Sequence, residues 1–292
     1  MCTVLKNGYC IGRNFDYEIS YKEEIINIPK DTYNNENSII GVCSGIVNDY
    51  PLLYDGINDK GLFCGGLAFS TNAKYNKYQE DKMNIPSFDF TFQVLANNKT
   101  VKEVKEWLGN VSIWCEQFSD EIPNTDLHWF IADMDGAIIV EQTKDGLNIY
   151  EGEVMTNNPP YPNQELRYAL RKGDVGRYHH LSFKEEKWFS RGTETDGLDG
   201  GYNSYDRFSR VSYLKKKLEE SNNKFNPITN CFHLLSSVEQ IYGATPVNDK
   251  YEYTIYSVVY DIKTRTMWIK TYDKLCPSNY KVLDAELERI RL

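Results

Sequence analysis

The sequence predicts an α+β protein whose sheets are layered with helices outside them. Three observations support this. Residues 2 to 69 alternate strand-like runs with tight turns; the later chain passes through two helices, strands, two more helices and strands again; and tyrosine is abundant. The 22 tyrosines, against 13 phenylalanines, suit strand-rich structure and a half-polar binding cleft. With 292 residues, no internal repeat and no linker that splits the chain, one domain over 1–292 is expected.

The elements follow in order. Cys2–Leu5 and Tyr9–Gly12 flank the turn Lys6-Asn7-Gly8 as a β-hairpin. Further strands are expected at Glu24–Ile28, Ser38–Val42, Leu52–Ile57 and Leu62–Phe69, the last two joined by the turn Asn58–Gly61. Apolar residues recur at helical spacing from Phe88 to Ala96. Thr100-Val101-Lys102-Glu103 is a capping-box pattern opening a helix that runs to Leu108 and stops at Gly109. Strands return at Leu127–Ala132 and Ala137–Glu141, around the turn Asp133–Gly136. Residues 158 to 204 read as irregular, proline-rich and then charged. Helices at Ser204–Glu220 and Cys231–Gln240 and strands at Tyr253–Tyr260 and Thr266–Tyr272 complete the chain.

Composition narrows the function. A formal net charge of −9 argues against nucleic acid as a partner and against an anionic membrane surface. No stretch approaches the roughly 18 consecutive apolar residues of a membrane-crossing helix, and the start Met1-Cys2-Thr3-Val4-Leu5-Lys6 lacks the design of a signal peptide. Seven scattered cysteines, with no C-x-x-C pair, argue against a disulfide framework and against a structural zinc site. The reading is a reduced, cytoplasmic protein with no metal and no cofactor.

Candidate chemistry centres on Cys2. If Met1 is removed, Cys2 carries a thiol and a free α-amino group on one carbon. That amine titrates near pH 8, about two to three units below a lysine, so it can serve as the base for its own thiol. Gly12-Arg13-Asn14-Phe15-Asp16 folds back beside it. An arginine there favours thiolate, and a carboxylate would orient the amine. Arg13 and Asp16 are three apart, so both can face the thiol only if a bulge or bend intervenes. Other nucleophile and metal patterns are weak. Gly41-Val42-Cys43-Ser44-Gly45 matches a nucleophile elbow with Cys in place of Ser, but Asn48-Asp49-Tyr50-Pro51 promises a turn where the elbow needs a helix. His128 and His233 read as core histidines, and His179-His180 has no metal partner at a recognisable spacing.

Six motifs in order carry a resemblance: Met1-Cys2-Thr3, Gly12-Arg13-Asn14-Phe15-Asp16, Tyr54-Asp55-Gly56-Ile57-Asn58-Asp59-Lys60-Gly61-Leu62, Leu127-His128-Trp129, Thr156-Asn157-Asn158-Pro159 and Arg207-Phe208. Together they resemble the choloylglycine hydrolases, the family of bile salt hydrolases and penicillin V acylases, from the first residue to about Asp273. The resemblance implies the four-layer αββα N-terminal-nucleophile hydrolase fold, with two stacked antiparallel sheets. It implies hydrolysis of a small-molecule linear amide through an acyl-enzyme, with homo-oligomers possible. By the same resemblance Cys2 is the nucleophile and its freed amine the base, Arg13 and Asp16 lie beside it, Asn157 is the oxyanion donor, and Arg207 completes the site.

Two departures bear on substrate. Ala68 stands where bile salt hydrolases typically carry Asn and penicillin V acylases Tyr; a backbone N–H there survives as a second oxyanion donor, but the side-chain contact to substrate does not. The segment from Asp174 to Gly201 is divergent and polar, with Gly197-Leu198-Asp199-Gly200-Gly201 in place of the family's Gly-Leu-Pro-Gly-Asp run. Conjugated bile salts are the first substrate expectation, penicillin V or another N-acyl amide the second. A binding homologue without turnover is the rival of another class.

Overall fold

The computed structural model describes residues 1–47, 49–120, 122, 124–176, 192–282 and 286–292. The chain opens with the expected hairpin, β1 (Cys2–Asn7) and β2 (Cys10–Tyr17), paired from Cys2↔Phe15 to Asn7↔Cys10. Gly8 takes φ +61° in the two-residue turn, where an L side chain would be strained. β3 (Glu24–Ile28), β4 (Ile39–Cys43), β5 (Leu53–Asn58) and β6 (Phe63–Ala68) follow as a meander. β7 (Met83–Pro86) precedes α1 (Phe90–Asn97) and α2 (Val101–Leu108), and β8 (Val111–Trp114) pairs with it in parallel. Thr100 caps α2 as expected, its hydroxyl accepting from Glu103 N at 3.1 Å.

β9 (Leu127–Ala132), β10 (Ala137–Thr143), β11 (Gly146–Glu151) and β12 (Val154–Met155) lead into α3 (Tyr161–Arg171). After α4 (Ser204–Glu220) and α5 (Pro227–Ser236) come β13 (Thr245–Val247), β14 (Lys250–Asp261), β15 (Thr266–Thr271), β16 (Ser278–Lys281) and β17 (Glu288–Arg291).

The long strands form two antiparallel sheets. The first runs β12-β1-β2-β14-β15-β16, with β13 added to β14; the second runs β11-β10-β9-β6-β5-β4-β3-β17. Period-two alternation sorts the second sheet's side chains between two cores. Phe130 and Ile139 pack toward the first sheet, while Trp129, Ile131, Ile138 and Val140 pack with α1 and α2. On the far side of the first sheet lies α5: Asn14 Nδ2 donates to Leu235 O at 3.0 Å, and a Cβ at Gly12 would stand 3.1 Å from Leu235 Cδ1. Helix, sheet, sheet, helix is therefore the layer order, as the resemblance implied.

Two expectations are corrected. Residues 158 to 204 are not uniformly irregular, because α3 lies within them; its Tyr161-Pro162 start hid behind a proline-rich run that reads as a loop, although proline is well tolerated in a helix's first turn. The last helix is Pro227–Ser236, four residues earlier than expected, with Asn226 as its cap accepting from Ile228 N at 2.9 Å. That register turns Cys231, Leu234 and Leu235 inward and leaves His233 exposed, so His233 is not a core histidine. Among the described residues no helix is long and apolar enough to cross a membrane.

Candidate active site

The hairpin register decides which side chains meet. Cys2, Val4, Arg13 and Phe15 share the face of the first sheet that looks at the second; Thr3, Asn14 and Asp16 share the face that looks at α4 and α5. Cys2 begins β1 and is 4% exposed. From the inter-sheet side, Arg13 Nη2 lies 3.9 Å from Cys2 Sγ and 2.6 Å from Gly66 O. Its Nη1 donates to Tyr54 O at 2.7 Å and pairs with the Asp55 carboxylate. Asp55 also accepts from the hydroxyls of Tyr256, at 2.5 Å, and Tyr260. Burial opposes the Arg13 charge most strongly, but Tyr256, Asp55 and Cys2 around it together hold its pKa above the ordinary value.

Arg207 arrives from the helix side. Its Nη1 donates to Cys2 O at 2.5 Å and to Thr3 Oγ1 at 2.6 Å, and its Nη2 to Asn157 Oδ1 at 2.8 Å. Cys2 N donates to the same Oδ1 at 2.6 Å. Two donors on one oxygen set the orientation of the Asn157 amide, whose Nδ2 is aimed away and donates to Ala68 O at 2.9 Å. Burial lowers the Arg207 pKa, against the opposing pull of Asp16 and Cys2.

The Asp16 side chain does not share the sheet face of Cys2 and Arg13. It lies on the helix face, where Oδ1 accepts from Thr254 Oγ1 at 2.6 Å, Oδ2 from Gln240 Nε2 at 3.1 Å, and Arg207 Nη1 stands 4.0 Å away. A register shift between Thr254 and Tyr256 bends β14 beside it, but β2 itself keeps its alternation, so Arg13 and Asp16 stay on opposite faces. The Asp16 backbone pairs with Met1 instead: its N–H donates to Met1 O at 2.8 Å, and Met1 N donates to its carbonyl at 2.6 Å. The Met1 ammonium also pairs with Glu252.

Cys2, Arg13, Asp16 and Ala68 line a solvent-open cleft whose walls are otherwise mostly apolar. Phe15 is stacked between Tyr54, at 4.9 Å, and Tyr256, at 5.1 Å; Tyr54, Phe88, Phe118 and Leu127 extend the wall outward. An apolar group can be buried here against the one thiol that lines the cleft.

The family profile described as linear amide C-N hydrolases, choloylglycine hydrolase family, matches residues 2–290. The chain belongs to that family. The chain is 36% identical over 292 residues to the bile salt hydrolase/transferase of Lactiplantibacillus plantarum, covering 94% of this chain and 90% of the relative. It is 35% identical to the bile salt hydrolase/transferase of Clostridium perfringens, at 94% and 90% coverage. Among solved structures, the C2A mutant of conjugated bile acid hydrolase from Clostridium perfringens superposes with TM-score 0.91 at 31% identity, covering 100% of this chain and 97% of that one. Penicillin V acylase from Agrobacterium tumefaciens shares the fold, with TM-score 0.70 at 20% identity over 96% of this chain and 84% of its own.

Several members of the site escaped sequence reasoning. Asp55 was visible within Tyr54-Asp55-Gly56-Ile57, an acid inside an apolar strand that needs a buried partner, but nothing in the sequence said that the partner is Arg13. Thr3, Tyr256 and Tyr260 carry no local signal. The Cys43 elbow fails: β4 leads through a turn into β5, and Cys43 is buried away from the cleft. His128 is a core histidine as expected, its Nδ1 3.1 Å from Glu141 Oε1. Arg177, His179, His180, Lys184, Glu185 and Glu186 lie outside the described residues.

Proposed function

We propose that this linear amide hydrolase cleaves conjugated bile salts through an acyl-enzyme on Cys2, once Met1 has been removed. The observation that carries the reading is that Cys2, with Arg13 beside its Sγ and Asn157 Oδ1 accepting from its nitrogen, lines an apolar cleft. Removal of Met1 turns Cys2 N from a peptide nitrogen into an amine, held beside Asn157 Oδ1. That amine takes the thiol proton, and the Arg13 guanidinium favours the resulting thiolate. The thiolate attacks the amide carbon, forming a C–S bond. The carbonyl oxygen takes the electron pair and is met by the Asn157 Nδ2 hydrogen not given to Ala68 O and by the Ala68 backbone N–H. The Cys2 ammonium returns its proton to the leaving nitrogen as the C–N bond breaks. Water, deprotonated by the same amine, then releases the acid.

The bile-salt assignment rests on the relatives' names and on the wide, aromatic-walled cleft, which suits a rigid apolar acyl group. The test is amine release from a panel of glycine- and taurine-conjugated bile acids, penicillin V and fatty-acyl amides. Turnover of the bile conjugates, abolished in Cys2→Ala, is expected. Turnover of penicillin V alone would replace the substrate, and unchanged hydrolysis by Cys2→Ala would sink the mechanism.

A further inference from the structure

A second buried network lies behind the reacting groups and joins the two sides of the oxyanion site. His128, on β9, is fully buried; its ring stacks on Phe69 at 4.3 Å and 7°. Phe69 directly follows Ala68. The same ring's Nδ1 lies 3.1 Å from Glu141 Oε1, also fully buried. That carboxylate oxygen accepts in turn from Tyr161 N at 3.0 Å, at the start of α3. One turn on, Gln164 is 1% exposed and fastens the segment that carries Asn157. Its Nε2 donates to Asn157 O at 2.6 Å and Pro159 O at 2.7 Å, and its Oε1 accepts from Thr156 Oγ1 at 2.8 Å.

We propose that His128 and Glu141 are positioning residues that set the spacing between Ala68 and Asn157, the two oxyanion donors. The inference rests on the roles given above to those two residues. The physical argument is one of cost. A carboxylate held without exposure in an apolar layer is expensive, and a packing role alone would be filled better by an apolar residue of the same size. Glu141 instead ties a sheet side chain to the first N–H of α3. The ring, carboxylate and helix start form a rigid strut from β6 to the Thr156–Tyr161 segment. An oxyanion hole depends on such distances, because its donors must already stand where charge develops. The thiol side of the site has its own partners, Arg13 with Asp55 and Asp55 with Tyr256 and Tyr260.

The test uses the Met1-free protein, a glycine-conjugated bile acid as substrate, and the corresponding bile-acid aldehyde as inhibitor. The Cys2 thiolate adds to the aldehyde carbon and leaves the charge on oxygen, so its Ki reads the oxyanion site directly. In Glu141→Ala and His128→Phe, kcat is expected to fall about 10- to 100-fold and the aldehyde Ki to weaken by a similar factor. KM and the rate of Cys2 alkylation by iodoacetamide stay within about twofold, since binding cleft and thiol are untouched. Glu141→Gln, which keeps an acceptor for Tyr161 N, recovers most of kcat. The proposal is overturned if folded His128→Phe and Glu141→Ala turn over normally, or if alkylation and kcat fall together, the mark of a generally loosened site. Should Glu141→Ala fail to fold, His128→Phe and Glu141→Gln decide by the same criteria. A wild-type protein that hydrolyses no amide would instead overturn the amidase reading, and the strut with it.

Discussion

Arg13 and Asp16 stand three residues apart on β2 and meet the N-terminal strand from opposite faces of one sheet. Arg13 reaches Cys2 Sγ from between the sheets, at 3.9 Å, and Asp16 sits under the helices, 4.0 Å from Arg207. Each arginine of the site thus has a buried carboxylate on its own side, Asp55 for Arg13 and Asp16 for Arg207. A strand one residue wide separates the two pairs, and the first residue of β1 lies across that strand. The odd spacing puts the two groups on opposite faces of the strand, Arg13 beside the thiol and Asp16 beside Arg207.

Arg13 and Asp55 are both fully buried, so each depends on the other. Arg13→Met should cost about 3–5 kcal/mol of stability, because it leaves the Asp55 carboxylate without a counter-charge. Adding Asp55→Asn should return most of that loss without returning activity, since the thiol still lacks its cation. Urea unfolding and amine release on the single and double variants separate the two effects. Equal stability of single and double variants would mean that the pair is not coupled.

Asn157 offers both ends of one amide to the site. Asn157→Asp keeps an acceptor for Cys2 N and Arg207 but removes the donor at Nδ2. The expected result is a folded protein whose kcat is lower by about 10²–10³, with KM little changed. A loss confined to KM would place the residue in ground-state binding instead.

Cys43 lies in an elbow-like motif but is protected by its surroundings. Burial pushes its thiol up to about 12, against the opposing pull of Arg289. Its charged form is disfavoured in the fold, so deprotonation, and with it alkylation, is suppressed until pH approaches that value. Between pH 7 and 9 the thiolate fraction stays below about one in a thousand. Peptide mapping after brief iodoacetamide treatment should show the exposed Cys115 and Cys276 and the cleft-lining Cys2 modified, with Cys43 unmodified until the protein is unfolded. Rapid native labelling of Cys43 at pH 8 would contradict its burial.

Much of this was legible in the chain because it is local. The hairpin, the α2 cap at Thr100 and the strand Leu127–Ala132 rest on turn chemistry and period-two patterns, and they stand where those signals put them. The site residues Cys2, Arg13, Asn157 and Arg207 could be named from ordered motifs, and the fold gathers all four. What could not be read is long-range pairing between separate elements. Asp55 finds Arg13 across 42 positions, Arg207 finds Cys2 across 205, and Glu141 finds Tyr161 only through the packing of α3. β11 and β17 were missed for a related reason: they are half-exposed edge strands with little apolar alternation to mark them.

With Met1 in place, the β1–β2 ladder is one residue longer than the proposed mechanism can use. Met1 O and N both pair with the Asp16 backbone, and Cys2 N is a peptide nitrogen whose lone pair is delocalised into the Met1 carbonyl and does not serve as a base. Burial holds the Met1 amine below its ordinary pKa, opposed by Cys2 and Asp16. This amine is one residue away from the thiol it would have to serve. Protein made while methionine aminopeptidase is inhibited should therefore fold but hydrolyse amides about 10²–10⁴-fold more slowly, the usual weight of a general base. Trimming by purified aminopeptidase should restore activity in step with the loss of one methionine in the intact mass. Full activity alongside an intact Met1 would show that some other group deprotonates the thiol.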